Sequence, residues 1–167
     1  AEMYTDIESV GMGLHVNLPQ MKCPAMIDKS QFARAVMNLL SNAVKHNPME
    51  TQIGIALTEV WKDRKQNVKD SEGRIEAGRE VWRIQIADTG NEIAESITEH
   101  LFEPFVMGDA SRSRAGSGLG LSIAAKIVEM HGGRLALEQP AEAPYRKAFC
   151  IELPKAKVMK ADDYDYE

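Results

Sequence analysis

Gly116-Ser117-Gly118-Leu119-Gly120-Leu121-Ser122-Ile123-Ala124-Ala125-Lys126-Ile127-Val128-Glu129-Met130-His131-Gly132-Gly133 is the stretch from which the fold is read. Glycines at alternate positions give a backbone that a ligand can approach closely, and Leu121, Ala124, Ala125 and Val128 behind them recur at helical spacing. A helix opened in this way points unpartnered N–H groups and the positive end of its dipole at whatever lies before it, so an anion such as a phosphate fits there. The same pattern also suits a plain tight turn, and the loop by itself leaves both readings open. His131, in the last turn before Gly132-Gly133, reads as a neighbour of the C-cap.

Upstream of this stretch, Val81 to Ala87 places Trp82, Ile84 and Ile86 on one face of a strand, and Asp88-Thr89-Gly90 follows at its end. An aspartate there either forms the turn or accepts a hydrogen bond from a ligand amino group at the mouth of a sheet. Ile93 to Phe102 reads as a short helix broken at Glu103-Pro104-Phe105, with Phe102 and Phe105 as core anchors. Met107 to Ala115 has no apolar period; its Arg112 and Arg114 are placed either to meet phosphate charge or to be solvated.

Further out, residues 29–46 carry Phe32, Val36, Leu39, Leu40 and Ala43 on one helical face, and Asn47-Pro48 ends the run. Asp28 or Ser30 is the expected cap. Asn38, Asn42 and Lys45 form a polar stripe beside the apolar face. Two asparagines one turn apart can offer neutral oxygens to a hard cation, and the lysine a charge to a phosphate; the bland alternative is a solvated face. Alternation predicts further strands over 14–18, 23–27, 51–61, 134–138 and 148–153. Residues 62–79, poor in apolar side chains, read as a long hairpin loop or insertion.

Composition bounds the rest. The 167 residues, 44% hydrophobic and 27% charged, suit one soluble globular domain with a real core. No apolar run is long enough for a membrane span and no signal-peptide pattern opens the chain. Cys23 and Cys150 show neither zinc-site nor disulfide-framework spacing, and a reducing compartment is the simpler reading. A formal charge of −5 argues against nucleic acid as the partner.

Four motifs in order carry a family resemblance. Asn38-Leu39-Leu40-Ser41-Asn42-Ala43-Val44-Lys45-His46 resembles the N box of sensor histidine kinase catalytic domains. Asp88-Thr89-Gly90-Asn91-Glu92-Ile93 resembles their first glycine box, Leu101-Phe102-Glu103-Pro104-Phe105 the F box, and Gly116-Ser117-Gly118-Leu119-Gly120-Leu121 the second glycine box. The wider family includes DNA gyrase, mismatch-repair ATPases and heat-shock chaperone ATPases. The resemblance covers residues 14 to 153 and implies a Bergerat-type α/β two-layer sandwich, a mixed sheet covered on one face by about three helices.

It also implies roles. Asn42 would ligate Mg²⁺ on the ATP phosphates with Asn38 in support, and Lys45 would pair with a phosphate. His46 would take the place of a tyrosine beside the adenine and ribose. Asp88 would accept from the adenine amino group, while Gly90 lets the backbone approach the base and Ile93 lines it. Gly116, Ser117, Gly118, Leu119, Gly120 and Leu121 would wrap the phosphates with Arg112 and Arg114 nearby, and residues 106–115 would be the ATP lid. Domain limits follow: 1–12, the end of a linker helix from a truncated upstream region; 13–153, the catalytic domain with its 62–79 insertion; and 154–167, an acidic tail.

The implied activity is transfer of the γ-phosphoryl group of Mg-ATP to a histidine on a separate dimerisation and histidine-phosphotransfer domain of the same parent protein, with a response regulator as indirect partner. The domain itself would sit in the cytoplasm without membrane contact, its parent anchored in a membrane. Hydrolysing relatives carry a glutamate where this chain has Asn38, an amide that cannot take a proton from water, so hydrolysis should be slow. None of His15, His46, His100 and His131 lies in a phosphoacceptor setting. Glu92 departs from the family pattern, which has a second glycine there; a positive φ would disfavour it, and its charge would weaken ATP binding. The rival readings are a degenerate docking module without nucleotide, and a serine-protein kinase of the anti-sigma type.

Overall fold

Alternation of apolar side chains along the strands decides the architecture. A computed structural model describes residues 7–62, 79–106 and 117–156. Its elements are β1 (Gly13–Asn17), α1 (Lys29–His46), β2 (Gln52–Lys62), β3 (Arg79–Asp88), α2 (Glu95–Thr98), α3 (Gly120–Met130), β4 (Arg134–Glu138) and β5 (Lys147–Pro154). The strands form one mixed sheet in the order β1-β2-β3-β5-β4, with β1 and β2 parallel and the other pairs antiparallel.

With a period of two, Trp82, Ile84 and Ile86 of β3 and Phe149, Ile151 and Leu153 of β5 fall on one face. On that face they meet Ala35, Leu39 and Leu40 of α1 and Ala124, Ile127 and Val128 of α3 in a single core. Leu39 is fully buried, so truncating it to alanine would cost about 2–5 kcal/mol. The opposite face is covered locally by Ala141 and Tyr145 of the β4–β5 connection, which pack on Ala87, Ala148 and Cys150.

The fold departs from the sequence reading in several places. Residues 23–27 form no strand: Pro24 has no N–H for a ladder, and its carbonyl instead accepts from Trp82 Nε1 at 2.8 Å and from Ala156 N at 3.0 Å. The helix expected over 93–102 shortens to the single turn α2, whose N-cap residue Ala94 offers no side-chain acceptor, and turns follow it to Pro104. Phe102 is a core contact, edge-on to Phe149 at 6.4 Å between ring centroids. Phe105 is not: it is 74% exposed, at φ +67°, with its N–H on the carbonyl of Gly118.

Boundaries move as well. Ile7 and Met12, which the sequence reading assigned to a preceding helix, are buried in the domain core. β2 runs through Lys62 and β3 begins at Arg79, so both lie in the sheet; the rest of the 62–79 insertion is outside the described residues. Pro154 belongs to β5, and Lys155 lies 4.5 Å from the centroid of the Trp82 ring while pairing with Glu59 and Glu80. Only the part of the tail from residue 157 onward is outside the described residues.

Candidate functional site

Helix α1 is fixed at both ends. At its start Asp28 Oδ1 accepts from the N–H groups of Ser30 (2.9 Å) and Gln31 (3.0 Å), and from the Ser30 hydroxyl. These bonds, that from Gln31 foremost, hold the Asp28 carboxyl below its usual range. His131 then ties this end to α3: its Nε2 accepts from Asp28 N at 2.9 Å while Nδ1–H donates to the carbonyl of Ile127 at 2.7 Å. The C-terminal end of α3 is thus pinned to the N-terminal end of α1, and the two helices pack on each other. The N-terminus of α3 is the end of that helix remote from the His131 tie.

Burial of Leu39, Leu40 and Ala43 turns the stripe beside them to the edge of the core. Asn38 and Asn42 are half-buried there, and Lys45 and His46 are exposed. Nδ2 of Asn38 is buried without a hydrogen-bond partner, a donor whose desolvation is uncompensated by protein. The N-terminus of α3 is also open: Leu119 at its N-cap position makes no side-chain cap. Gly118, at φ +65°, is required by close approach, since a Cβ would lie 2.8 Å from Cα of Phe105. Ser117 is exposed and Leu119, Gly120 and Leu121 are half-buried, whereas Arg112, Arg114 and Gly116 lie outside the described residues, as does the expected lid beyond residue 106.

The other end of the site is closed by polar bonds. Asp88, only 1% exposed at the end of β3, accepts through Oδ1 from Gly90 N at 2.9 Å and from Lys147 Nζ at 2.7 Å. Lys147 is its cross-strand neighbour on β5, likewise buried. Nζ of Lys147 also donates to Asn47 Oδ1 at 3.0 Å and to the carbonyl of Asn91. Asn47, the residue after α1, accepts Asn91 N at 3.1 Å and donates through Nδ2 to the Ala43 carbonyl at 2.8 Å. Gly90 backs directly onto Asn47, so a Cβ at 90 would run into the Asn47 amide. Ile93 is held by a reciprocal pair of 2.8 Å bonds with the Gln139 side-chain amide.

Lys147 and Gln139 went unremarked in the sequence reading, and Asn47 was noted only as the stop of the helix. Lys147 carried a signal: counting back by two from Leu153, Ile151 and Phe149 places it on the inward face. Glu92, whose fit was in question, is exposed, and among the described residues only Glu50 and Phe105 outside glycine take a positive φ, so it imposes no backbone strain.

Residues 27–157 match the family model described as histidine kinase-, DNA gyrase B-, and HSP90-like ATPase. Among curated proteins the chain is 33% identical over 129 residues to the signal transduction histidine-protein kinase/phosphatase MprB of Mycobacterium sp. (strain KMS), covering 76% of this chain and 22% of that protein. Among solved structures, a mycobacterial sensor histidine kinase MprB superposes with a TM-score of 0.66 at 27% identity, over 92% of this chain and 93% of that one. Full-length ShkA in complex with AMPPNP shares the fold, with a TM-score of 0.68 at 19% identity over 95% of this chain and 29% of that one. The chain spans about a sixth to a quarter of the length of the curated relatives it matches. It belongs to the family of histidine kinase-, DNA gyrase B- and HSP90-like ATPases, and within that family it stands with the catalytic domains of sensor histidine kinases.

Proposed function

We propose that the chain holds Mg-ATP between α1 and α3 and donates its γ-phosphoryl group to a histidine on a separate dimerisation domain of the same parent protein, for relay to a response regulator. The observation that carries this reading is the buried, partnerless Nδ2 of Asn38, a donor that a phosphate oxygen or a phosphate-bound water would satisfy. The uncapped start of α3 supplies N–H groups to the same charge. No group of three or more His, Cys, Asp or Glu among the described residues could hold a metal, so a cation would come with the nucleotide, through the Asn42 amide oxygen, phosphate oxygens and water. Bound there, Mg²⁺ would neutralise charge on the phosphates.

In the transfer itself the γ-phosphorus gains a bond to an imidazole nitrogen and loses its bond to the bridging oxygen, and ADP leaves. Asn38 cannot act as a base toward water, which leaves ATP intact for the histidine. Three of the chain's four histidines bond within the chain: His131 in the α1–α3 tie, His100 with Glu103, and His15 with Gln52. Asp88 would face the base and Lys45 and His46 the phosphates and ribose. No helix among the described residues is long and apolar enough to cross a membrane; a cytoplasmic domain of a membrane-anchored parent is the location this reading carries.

Calorimetric titration with AMPPNP, with and without Mg²⁺, tests the proposal. Binding that Mg²⁺ strengthens, and that loses this dependence in Asn42→Ala, is the expected result. A folded chain that takes up no AMPPNP under either condition would overturn it.

A further inference from the structure

We infer that Arg34 engages the γ-phosphoryl group of the nucleotide and makes the site prefer a triphosphate to a diphosphate. The inference rests on the nucleotide reading above and concerns the turn of α1 next to Asn38. Arg34 stands four residues before Asn38, so the two share one side of the helix, with Cβ atoms about 5–6 Å apart. Its side chain is exposed and makes no hydrogen bond or ion pair with the other described residues.

Charge on α1 is one-sided. The helix includes Lys29, Arg34 and Lys45 but no aspartate or glutamate, although the whole chain carries a formal charge of −5. Nothing on the helix itself therefore neutralises Arg34, and a cation beside a buried donor without a partner, Nδ2 of Asn38, suits an anion. Position along the helix says which part of the nucleotide that anion is. The base end of the site lies at Asn47, which backs onto Gly90 and bonds to Asn91 and Lys147. At a rise of about 1.5 Å per residue, Asn38 lies about 14 Å and Arg34 about 20 Å along α1 from Asn47. The terminal phosphate is the part of ATP farthest from the base, so it comes nearest to Arg34, and ADP ends one phosphate short. The guanidinium offers a planar fork of N–H donors to the γ-phosphoryl oxygens. During transfer it shares the charge on those oxygens, and it forms and breaks no covalent bond itself.

The test is calorimetry with AMPPNP and with ADP, each in Mg²⁺, on this chain, on Arg34→Gln and on Arg34→Lys. Arg34→Gln should weaken AMPPNP about tenfold, the scale of one hydrogen bond to a charged group, and leave ADP within about twofold. Arg34→Lys, which keeps the charge without the fork, should weaken AMPPNP less than Arg34→Gln does. Because Arg34 is exposed and bonds to none of the other described residues, both variants should keep the urea midpoint of the unaltered chain. An unchanged AMPPNP affinity in Arg34→Gln, or equal weakening of AMPPNP and ADP, would overturn the inference while nucleotide binding stands. Failure of the nucleotide reading looks different: neither nucleotide binds the unaltered chain, and both proposals fall together.

Discussion

The two ends of the candidate site are built on opposite terms. At the Asp88 end every donor of Lys147 and the side chain of Asn47 are bonded within the protein, and the groups are almost wholly buried. At the α3 end a buried amide nitrogen on Asn38 has no partner and the helix start has no side-chain cap. The closed end contributes to folding stability, whereas the open end leaves interactions to be completed by a ligand. Substitutions at the first should therefore disturb folding, and at the second they should disturb binding.

The largest expected effect is at the closed end. Asp88→Ala leaves Lys147 a buried charge without its counter-ion and should lower unfolding stability by about 3–5 kcal/mol, read as a shift in the urea midpoint at constant slope. The double variant Asp88→Ala with Lys147→Met should recover a large part of that loss, because no charge is then stranded; additive losses would break the comparison. Gly90→Ala should come next, about 1–3 kcal/mol, since the new methyl displaces Asn47 and with it the bonds to Asn91 and Lys147.

At the open end the effect on folding should be smaller. Asn38→Ala removes a donor that makes no bond, so the urea midpoint should move by less than the equivalent of about 1 kcal/mol while AMPPNP affinity falls. A large loss of stability with unchanged affinity would reverse the roles of the two ends. The smallest effect concerns the cap that orients α1. The Asp28 carboxyl is held below the usual 3.8, so its contribution is present above that value and is lost as pH falls through the lower one. Amide exchange at Ser30 and Gln31 should quicken only below about pH 3.8, and an onset well above it would remove the cap from the account.

How much of this was legible in the chain differs between the same two ends. α1 was read to its last residue because its apolar spacing, its asparagine-proline stop and its capping aspartate all agree. The strands Gln52–Lys62 and Arg79–Asp88 were read within two residues, their alternation being local information. Phe105 was misread because hydrophobicity alone does not say whether a backbone at φ +67° turns the ring outward. The span 93–102 was misread because apolar residues near helical spacing do not make a helix when the N-cap position holds alanine and a proline follows.

By itself the sequence determined the two long helices, the five strands with their alternating faces and the order of four motifs, since periods of 2 and 3.6 and the chemistry of glycine, proline and asparagine act over a few residues. Tertiary structure alone decided what those inward faces meet. Asp88 and Lys147 are 59 positions apart and each sits at the polar end of an apolar strand face; only the placement of β5 beside β3 makes them opposite neighbours. Asn47 becomes the third member because the end of α1 comes to rest over the turn after β3, and His131 becomes the tie between helices because α3 packs on α1. Pairing of distant segments is set by the burial of the whole core, and no local period encodes it.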